Sequence, residues 1–267
     1  MDGGHGDGSV SDAGLTPESG LPDAGLGTDS AADAGPPVLR LRFVNLSPTT
    51  APLDICMRET GAPAFTGTPL LRKGGVTTGL PYGSMTDYLD LGAPRTLDFE
   101  FVESSTTTCS PPIRGALGNL VFVGSVSSTI AVYQYQFTPV NAYNPALLSA
   151  FGAPTAGAAN VRVFDVVQPS FGTASIDFYA TPPAGAEEKW FTNVAFGSGT
   201  PFHAAGAGAH TFRVTSYNTQ NVLAQKSGVV LSVGAALDAF VFPTGATTFG
   251  LLRCPSTQTA LVGACAF

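Results

Sequence analysis

Apolar and polar residues alternate with a period of two along much of this chain. Leu39, Leu41 and Phe43 interleave with Arg40 and Arg42, and Leu97, Phe99 and Phe101 interleave with Asp98 and Glu100. Successive side chains of a pleated strand point to opposite faces, so the spacing predicts half-buried strands with one face in solvent. Ala239-Phe240-Val241-Phe242 is apolar on both faces and predicts a central strand. Clusters of Gly, Pro, Asn, Ser and Thr separate the runs at intervals of roughly 8–12 residues, the spacing of sandwich strands. The only helix-like window is Pro145–Phe151, short and uncapped. The pattern predicts an all-β protein.

The pattern is also written twice. Leu80-Pro81-Tyr82-Gly83-Ser84, followed by Tyr88, returns as Val194-Ala195-Phe196-Gly197-Ser198, followed by Phe202. Leu53-Asp54-Ile55-Cys56 matches Ile176-Asp177-Phe178-Tyr179, Thr96–Phe99 matches Thr211–Val214, and Ser128–Tyr133 matches Leu237–Phe242. The expected organisation is a disordered Gly/Ala/Ser/Asp-rich tether over 1–37, one β-sandwich over 38–155 and a second over 156–267. Two copies are too few for a solenoid, so each must bury its own core. Features common to both copies read as scaffold, and features of one copy are the candidates for function.

Charge is unevenly placed. Residues 1–37 hold seven acids and no Lys or Arg, while the remainder holds twelve acids and twelve bases. A formally neutral body without a basic stripe excludes nucleic acid as a partner, because phosphate neutralisation by Lys and Arg dominates such affinity. The acidic segment lacks aromatic residues and cannot bury enough apolar surface to offset its ordering entropy. Its acids do not follow the calcium-loop pattern. No apolar run approaches the ~18 residues of a membrane span, and Met1-Asp2-Gly3-Gly4 does not open a signal peptide. An acidic, small-residue tether before a β body is typical of the segment after the lipidated cysteine of a bacterial lipoprotein. The expectation is therefore a secreted or cell-envelope protein whose full-length form carries an upstream secretion signal and a lipid anchor.

The four cysteines point to the same compartment. Cys56 and Cys109 stand in copy one without counterparts in copy two, and Cys254 and Cys265 both lie at the end of copy two. Of three possible pairings, Cys56–Cys109 and Cys254–Cys265 is the expected one; a zinc site lacks the C-x2-C or Cys/His spacing. His203 and His210 lie seven apart, which puts them on opposite faces of a continuous strand and favours two exposed turn-region histidines over a metal pair. No G-x-S-x-G elbow is present, and Gly83-Ser84 and Gly197-Ser198 read as bulges or tight turns where glycine relieves strain. Asp54 and Asp177 read as outward-facing strand positions. No catalytic residue, metal site or cofactor is assigned. Trp190 and Phe191, beside Glu187 and Glu188, are particular to copy two, where copy one has Lys73-Gly74-Gly75-Val76. Aromatics beside carboxylates form a candidate platform for sugar rings or a partner's surface, with edge-strand core packing as the alternative.

Arg42-Phe43-Val44-Asn45-Leu46-Ser47-Pro48 with Ala51-Pro52-Leu53-Asp54-Ile55, and Val194–Ser198 followed by Gly206–Val214 and Val229–Gly234, resemble the motifs of the domain-of-unknown-function 4397 family. The resemblance covers residues 38–267 in two copies. It implies tandem immunoglobulin-like antiparallel β-sandwich domains on secreted or envelope proteins of bacteria, and it carries no activity or site to transfer. The leading functional expectation is a non-enzymatic binding or adhesion-type module for a glycan or an envelope protein. An enzyme or enzyme-accessory module acting on extracellular polymer and a structural spacer are the alternatives.

Overall fold

Strands form where the period-two pattern places them. A computed structural model describes residues 36–48, 51–109, 116–123, 126–136, 142–148, 152–257 and 260–267; the segment expected to be a tether lies, up to residue 35, outside the described residues. The first half contains β1 (Leu39–Leu46), β2 (Leu53–Glu59), a single helical turn α1 (Leu70–Lys73), β3 (Ser84–Thr86), β4 (Leu89–Asp90), β5 (Thr96–Glu103), β6 (Ala116–Val121), β7 (Val126–Gln136) and β8 (Ala142–Leu148). The second contains β9 (Ala159–Asp165), a 3-10 turn (Pro169–Phe171), β10 (Ser175–Thr181), β11 (Glu188–Ala195), β12 (His203–Ala205), β13 (Gly208–Ser216), β14 (Val222–Leu231), β15 (Ala236–Pro243), β16 (Phe249–Pro255) and β17 (Val262–Ala264). The protein is nearly all β.

The strands make two β-sandwiches. In the first, the sheet β17-β3-β1-β7-β8, with β4 also on β1, faces the sheet β2-β5-β6; in the second, β12-β9-β15-β16 faces β11-β10-β13-β14. Leu41, Phe43, Ile55, Phe99 and Ile130 fill the first core, and Val161, Val163, Phe178, Phe212 and Val241 fill the second. A third core lies between the sandwiches: Val44, Leu46, Ala131 and Tyr133 meet Phe164, Phe240, Phe242 and Leu252. Alternate residues of β1 and β15 thus enter different cores, so the two principal sheets pack back to back and are buried on both faces.

Three expectations change. The polar face of β1 is not in solvent: Arg42 is fully buried, because that face abuts the other sandwich. Asp98 and Glu100 are also buried, and Asp98 accepts hydrogen bonds from Thr60, Arg58 and the Asn119 N–H. The helix-like window at Pro145 is strand β8, where Pro145 sits opposite Val132 on an edge strand that needs no outward N–H. Neither sandwich is wholly antiparallel, since β1 runs parallel to β7 and β9 parallel to β15.

Both repeated Gly-Ser steps are tight turns. Gly83 and Gly197 are left-handed (φ 72° and 76°), Ser84 N–H donates to Pro81 C=O and Ser198 N–H to Ala195 C=O. The disulfides Cys56–Cys109 and Cys254–Cys265 are both formed. The second pins a C-terminal strap across the two sandwiches. Within the strap, β17 pairs with β3, and Ala266 bridges Arg253 of β16.

Candidate binding cleft

Strand β11 closes the outer edge of β10 in the second sandwich. Their pairing slips between Phe178 and Tyr179, which leaves Trp190 as an extra residue between Phe191, opposite Phe178, and Lys189, opposite Tyr179. A bulge re-aims side chains, so the adjacent Trp190 and Phe191 both lean on the second core. Trp190 stacks on His203 with ring centroids 4.4 Å apart, and lies 5.7 Å from His210 and 5.8 Å from Phe212. It plugs the mouth between the edges of the two sheets, and its Nε1–H has no acceptor among the described residues.

The histidines are therefore not two exposed turn residues. His210 is buried and His203 half-buried. The chain changes sheets between them, from β12 to β13, so a spacing of seven no longer implies opposite faces and both rings converge on Trp190. Burial pushes the His203 imidazole below the ordinary histidine range, opposed by the charge of Glu188. Among the described residues no group of three or more His, Cys, Asp or Glu side chains is placed to hold a metal.

The candidate platform divides. Its aromatics turn inward while Glu187 and Glu188 stay exposed. Glu187 accepts from Nε and Nη2 of Arg213, which holds its carboxyl below the usual range, and the Arg213 guanidinium lies 4.3 Å over the Tyr179 ring. Asp177 points away from the sandwich core but is buried, accepting from Lys189 Nζ (2.8 Å), the Thr192 hydroxyl, and the N–H groups of Asn193 and Asn218. Burial pushes its pKa up, and those donors outweigh burial and hold it low.

The first sandwich begins the same edge and abandons it. Leu53 pairs with Leu80 as Ile176 pairs with Val194, but among the described residues the outer edge of β2 is paired no further. The chain folds α1 against β2 instead. Asp54 fixes that turn by accepting the N–H groups of Ile55, Leu71 and Arg72 at 2.7, 2.9 and 3.1 Å. Asp54 is thus buried rather than in solvent; burial raises its pKa against the pull of those N–H donors.

Leu71 enters the first core, but the mouth beside it stays open. A cleft of about 370 Å³ is lined by Met57, Leu70, Lys73, Leu89, Leu91 and Arg95, with Gly74 and Asp90. A second, of about 340 Å³, adjoins it over Met57, Leu70 and Lys73 and reaches Thr66–Thr68 and Cys109. Leu89 stands opposite Leu41 where His203 stands opposite Val161, so the open mouth corresponds to the one that Trp190 plugs. Lys73 is exposed without an ion-pair partner among the described residues, and Arg95 reaches Glu59 only at 3.7 Å. The one carboxylate of the lining, Asp90, accepts the Gly92 N–H. An apolar floor with a cationic rim offers binding contacts rather than paired acid and base groups.

Sequence reasoning missed these residues although their signal is there: counted back from Gly83 and Gly197, Val76-Thr77 stands where the second half has Trp190-Phe191, and the aromatic pair is the conspicuous half of that difference. It also missed Asp165, which is fully buried, with Oδ1 accepting the Val167 N–H and Oδ2 without a partner among the described residues. Burial pushes this carboxyl up to about 8. It lies apart from the cleft.

No protein-family model matches the chain, and no curated protein matches it. Among solved structures, the chain is similar to the tip fimbrial protein Mfa3 from Porphyromonas gingivalis with C-terminal truncation (8% identity, TM-score 0.22, 83% of this chain and 99% of that one). It is also similar to a candidate adhesin from Bacteroides ovatus (10% identity, TM-score 0.22, 84% and 93%). No helix among the described residues is long and apolar enough to cross a membrane.

Proposed function

We propose that this protein is a non-enzymatic binding module, secreted or held at a bacterial cell envelope, whose first sandwich takes a glycan or an envelope protein in the cleft beside α1. The observation that carries the reading is the open mouth between Met57 and Leu89, at the position that the second sandwich fills with its own Trp190. Two paired disulfides with no free cysteine suit an oxidising compartment. We read the sandwiches as a duplicated pair of the domain-of-unknown-function 4397 kind, on the motifs that run from Arg42 to Ile55 and from Val194 to Gly234. A lipid anchor ahead of the acidic segment fits the same reading.

The test compares the full chain with its Lys73→Glu variant on a glycan array and against purified envelope proteins. The reading expects a ligand that the wild type holds and the variant loses. Silence of the wild type in both formats favours the spacer; a ligand held equally by Lys73→Glu places binding elsewhere.

A further inference from the structure

We propose that the ligand of the cleft is an extended strand of a partner protein, carrying an aromatic residue next to acidic ones and laid antiparallel along Met57–Glu59 of β2. The inference rests on the reading of this cleft as the binding site. Its first support is the edge itself. Leu53 uses its outward backbone groups on Leu80. Because backbone groups alternate direction along a strand, Met57 and Glu59 present theirs on the same side, where no strand follows among the described residues; the Glu59 C=O already accepts the Ala62 N–H, which leaves both Met57 groups and the Glu59 N–H for a partner. An edge with unpaired N–H and C=O groups is a template for an added strand.

The second support is that the molecule contains a fitting strand of its own. In the second sandwich the equivalent edge is covered by β11, which sets Glu188 opposite Ala180 and sends Trp190 into the mouth against His203. Ala180 faces Phe212 as Met57 faces Phe99, so Met57 is the position that β11 reaches with Glu188. The third is charge. The cleft in the first sandwich carries Lys73 and Arg95 against a single acid, Asp90. A strand bearing glutamates beside its aromatic would meet Lys73, which has no ion-pair partner among the described residues, and Arg95, which Glu59 holds only at 3.7 Å, and the aromatic would meet Leu70, Leu89 and Leu91. Pairing would be short, because α1 packs on β2 from Asp54 onward, so the seated aromatic must supply most of the affinity.

The experiment uses a fluorescently labelled peptide spanning 185–196, titrated by anisotropy with the full chain. Saturable binding is expected, weakened by about tenfold or more, roughly 1.4 kcal/mol, by Trp190→Ala in the peptide and by Leu89→Trp in the protein. A melting curve checks that Leu89→Trp still folds; should it not, Lys73→Glu on the exposed rim takes its place, with the same expected loss at low salt. No binding up to about 1 mM, or equal affinity for the altered protein, overturns the proposal. So does a dimer of the chain that Leu89→Trp dissolves, which would assign the cleft to a second copy. A glycan that binds the wild type and not Lys73→Glu, with the peptide silent, overturns the strand while leaving the cleft as the binding site.

Discussion

Arg42 of β1 and Asp238 of β15 form an ion pair that joins the two sandwiches, with both side chains fully buried. Asp238 is shared, since Nε and Nη2 of Arg162 donate to its two oxygens and the Ser256 hydroxyl donates to Oδ1. Arg42 gives its Nε–H to the Thr129 hydroxyl and its Nη1–H to the Ser256 carbonyl. Thr129 stands opposite Arg42 as Asp238 stands opposite Arg162. Each guanidinium also lies over a ring, Arg42 at 4.8 Å from Tyr88 and Arg162 at 4.5 Å from Phe202. Two buried cations therefore depend on one carboxylate.

Asp238→Thr leaves both guanidinium groups buried without a counter-charge and should cost about 3–5 kcal/mol. Adding Thr129→Asp restores a carboxylate opposite Arg42 and should recover part of that loss. Urea unfolding of the two variants measures both effects. A single variant as stable as the wild type, or a double variant weaker than the single, contradicts the shared-carboxylate account.

Asp165 should make the protein less stable as pH rises. Its folded pKa, about 8, lies above the unfolded value of 3.8. The folded state therefore holds a proton that the unfolded chain releases, and the associated stability is full below the unfolded pKa and lost as pH climbs through the folded one. The corresponding residue of the first sandwich is Asn45, opposite Val132 as Asp165 is opposite Val241. Asn45 donates its amide to Leu80 C=O and accepts the Ser47 N–H, as Asp165 accepts the Val167 N–H. Asp165→Asn should flatten the decline between pH 4 and 8 and stabilise the protein at the alkaline end, read from melting curves across pH. An unchanged slope rules out Asp165 as its source.

How much of this was legible depends on range. Alternation located β1 and β5, and a continuous apolar run located β15, because both signals are local, and comparison of the copies paired the cysteines because each pair stands alone in its half. What the wet face of β1 would touch was not local: Arg42 is buried by residues some two hundred positions away, at Asp238 and Ser256. The match of Thr96–Phe99 with Thr211–Val214 is two residues out, since Met57 faces Phe99 and Ala180 faces Phe212. A period of two makes such a slip invisible, because every side chain keeps its face. The cleft was overlooked for a related reason. Among the described residues no strand covers the outer edge of β2, and the only trace of that in the sequence is the lack of an aromatic pair where the second half has Trp190-Phe191.

The disulfides should differ in their contribution. Cys56–Cys109 spans 53 residues and Cys254–Cys265 spans 11. Loop-closure entropy gives about 4 and about 3 kcal/mol for the two. Replacing each pair by serine should lower stability in that order. Loss of the second should also raise amide exchange at β17 and at its partner β3, since it releases the strap. Exchange at β17 unaltered by Cys254→Ser/Cys265→Ser would show that the strand pairing alone holds it.

The twin turns should not tolerate alanine equally. Both glycines are left-handed, which costs an L residue about 1–2 kcal/mol. A Cβ on Gly83 would in addition come within 2.7 Å of the Phe267 ring, whereas one on Gly197 meets nothing within 4 Å. Gly83→Ala should therefore be the more damaging of the two in denaturant titration, and equal losses would show that Phe267 moves aside.

The most direct measurement is amide hydrogen exchange of the full chain, alone and with the 185–196 peptide at saturation. Met57 and Glu59 should exchange fast in the free protein, while Phe178 and Ala180, covered by β11, stay protected. On addition of the peptide, exchange should slow at Met57–Glu59 and at Leu89–Leu91. Protection of Met57 and Glu59 already present in the free chain, or peptide-induced protection confined to the second sandwich, would contradict an open binding edge in the first.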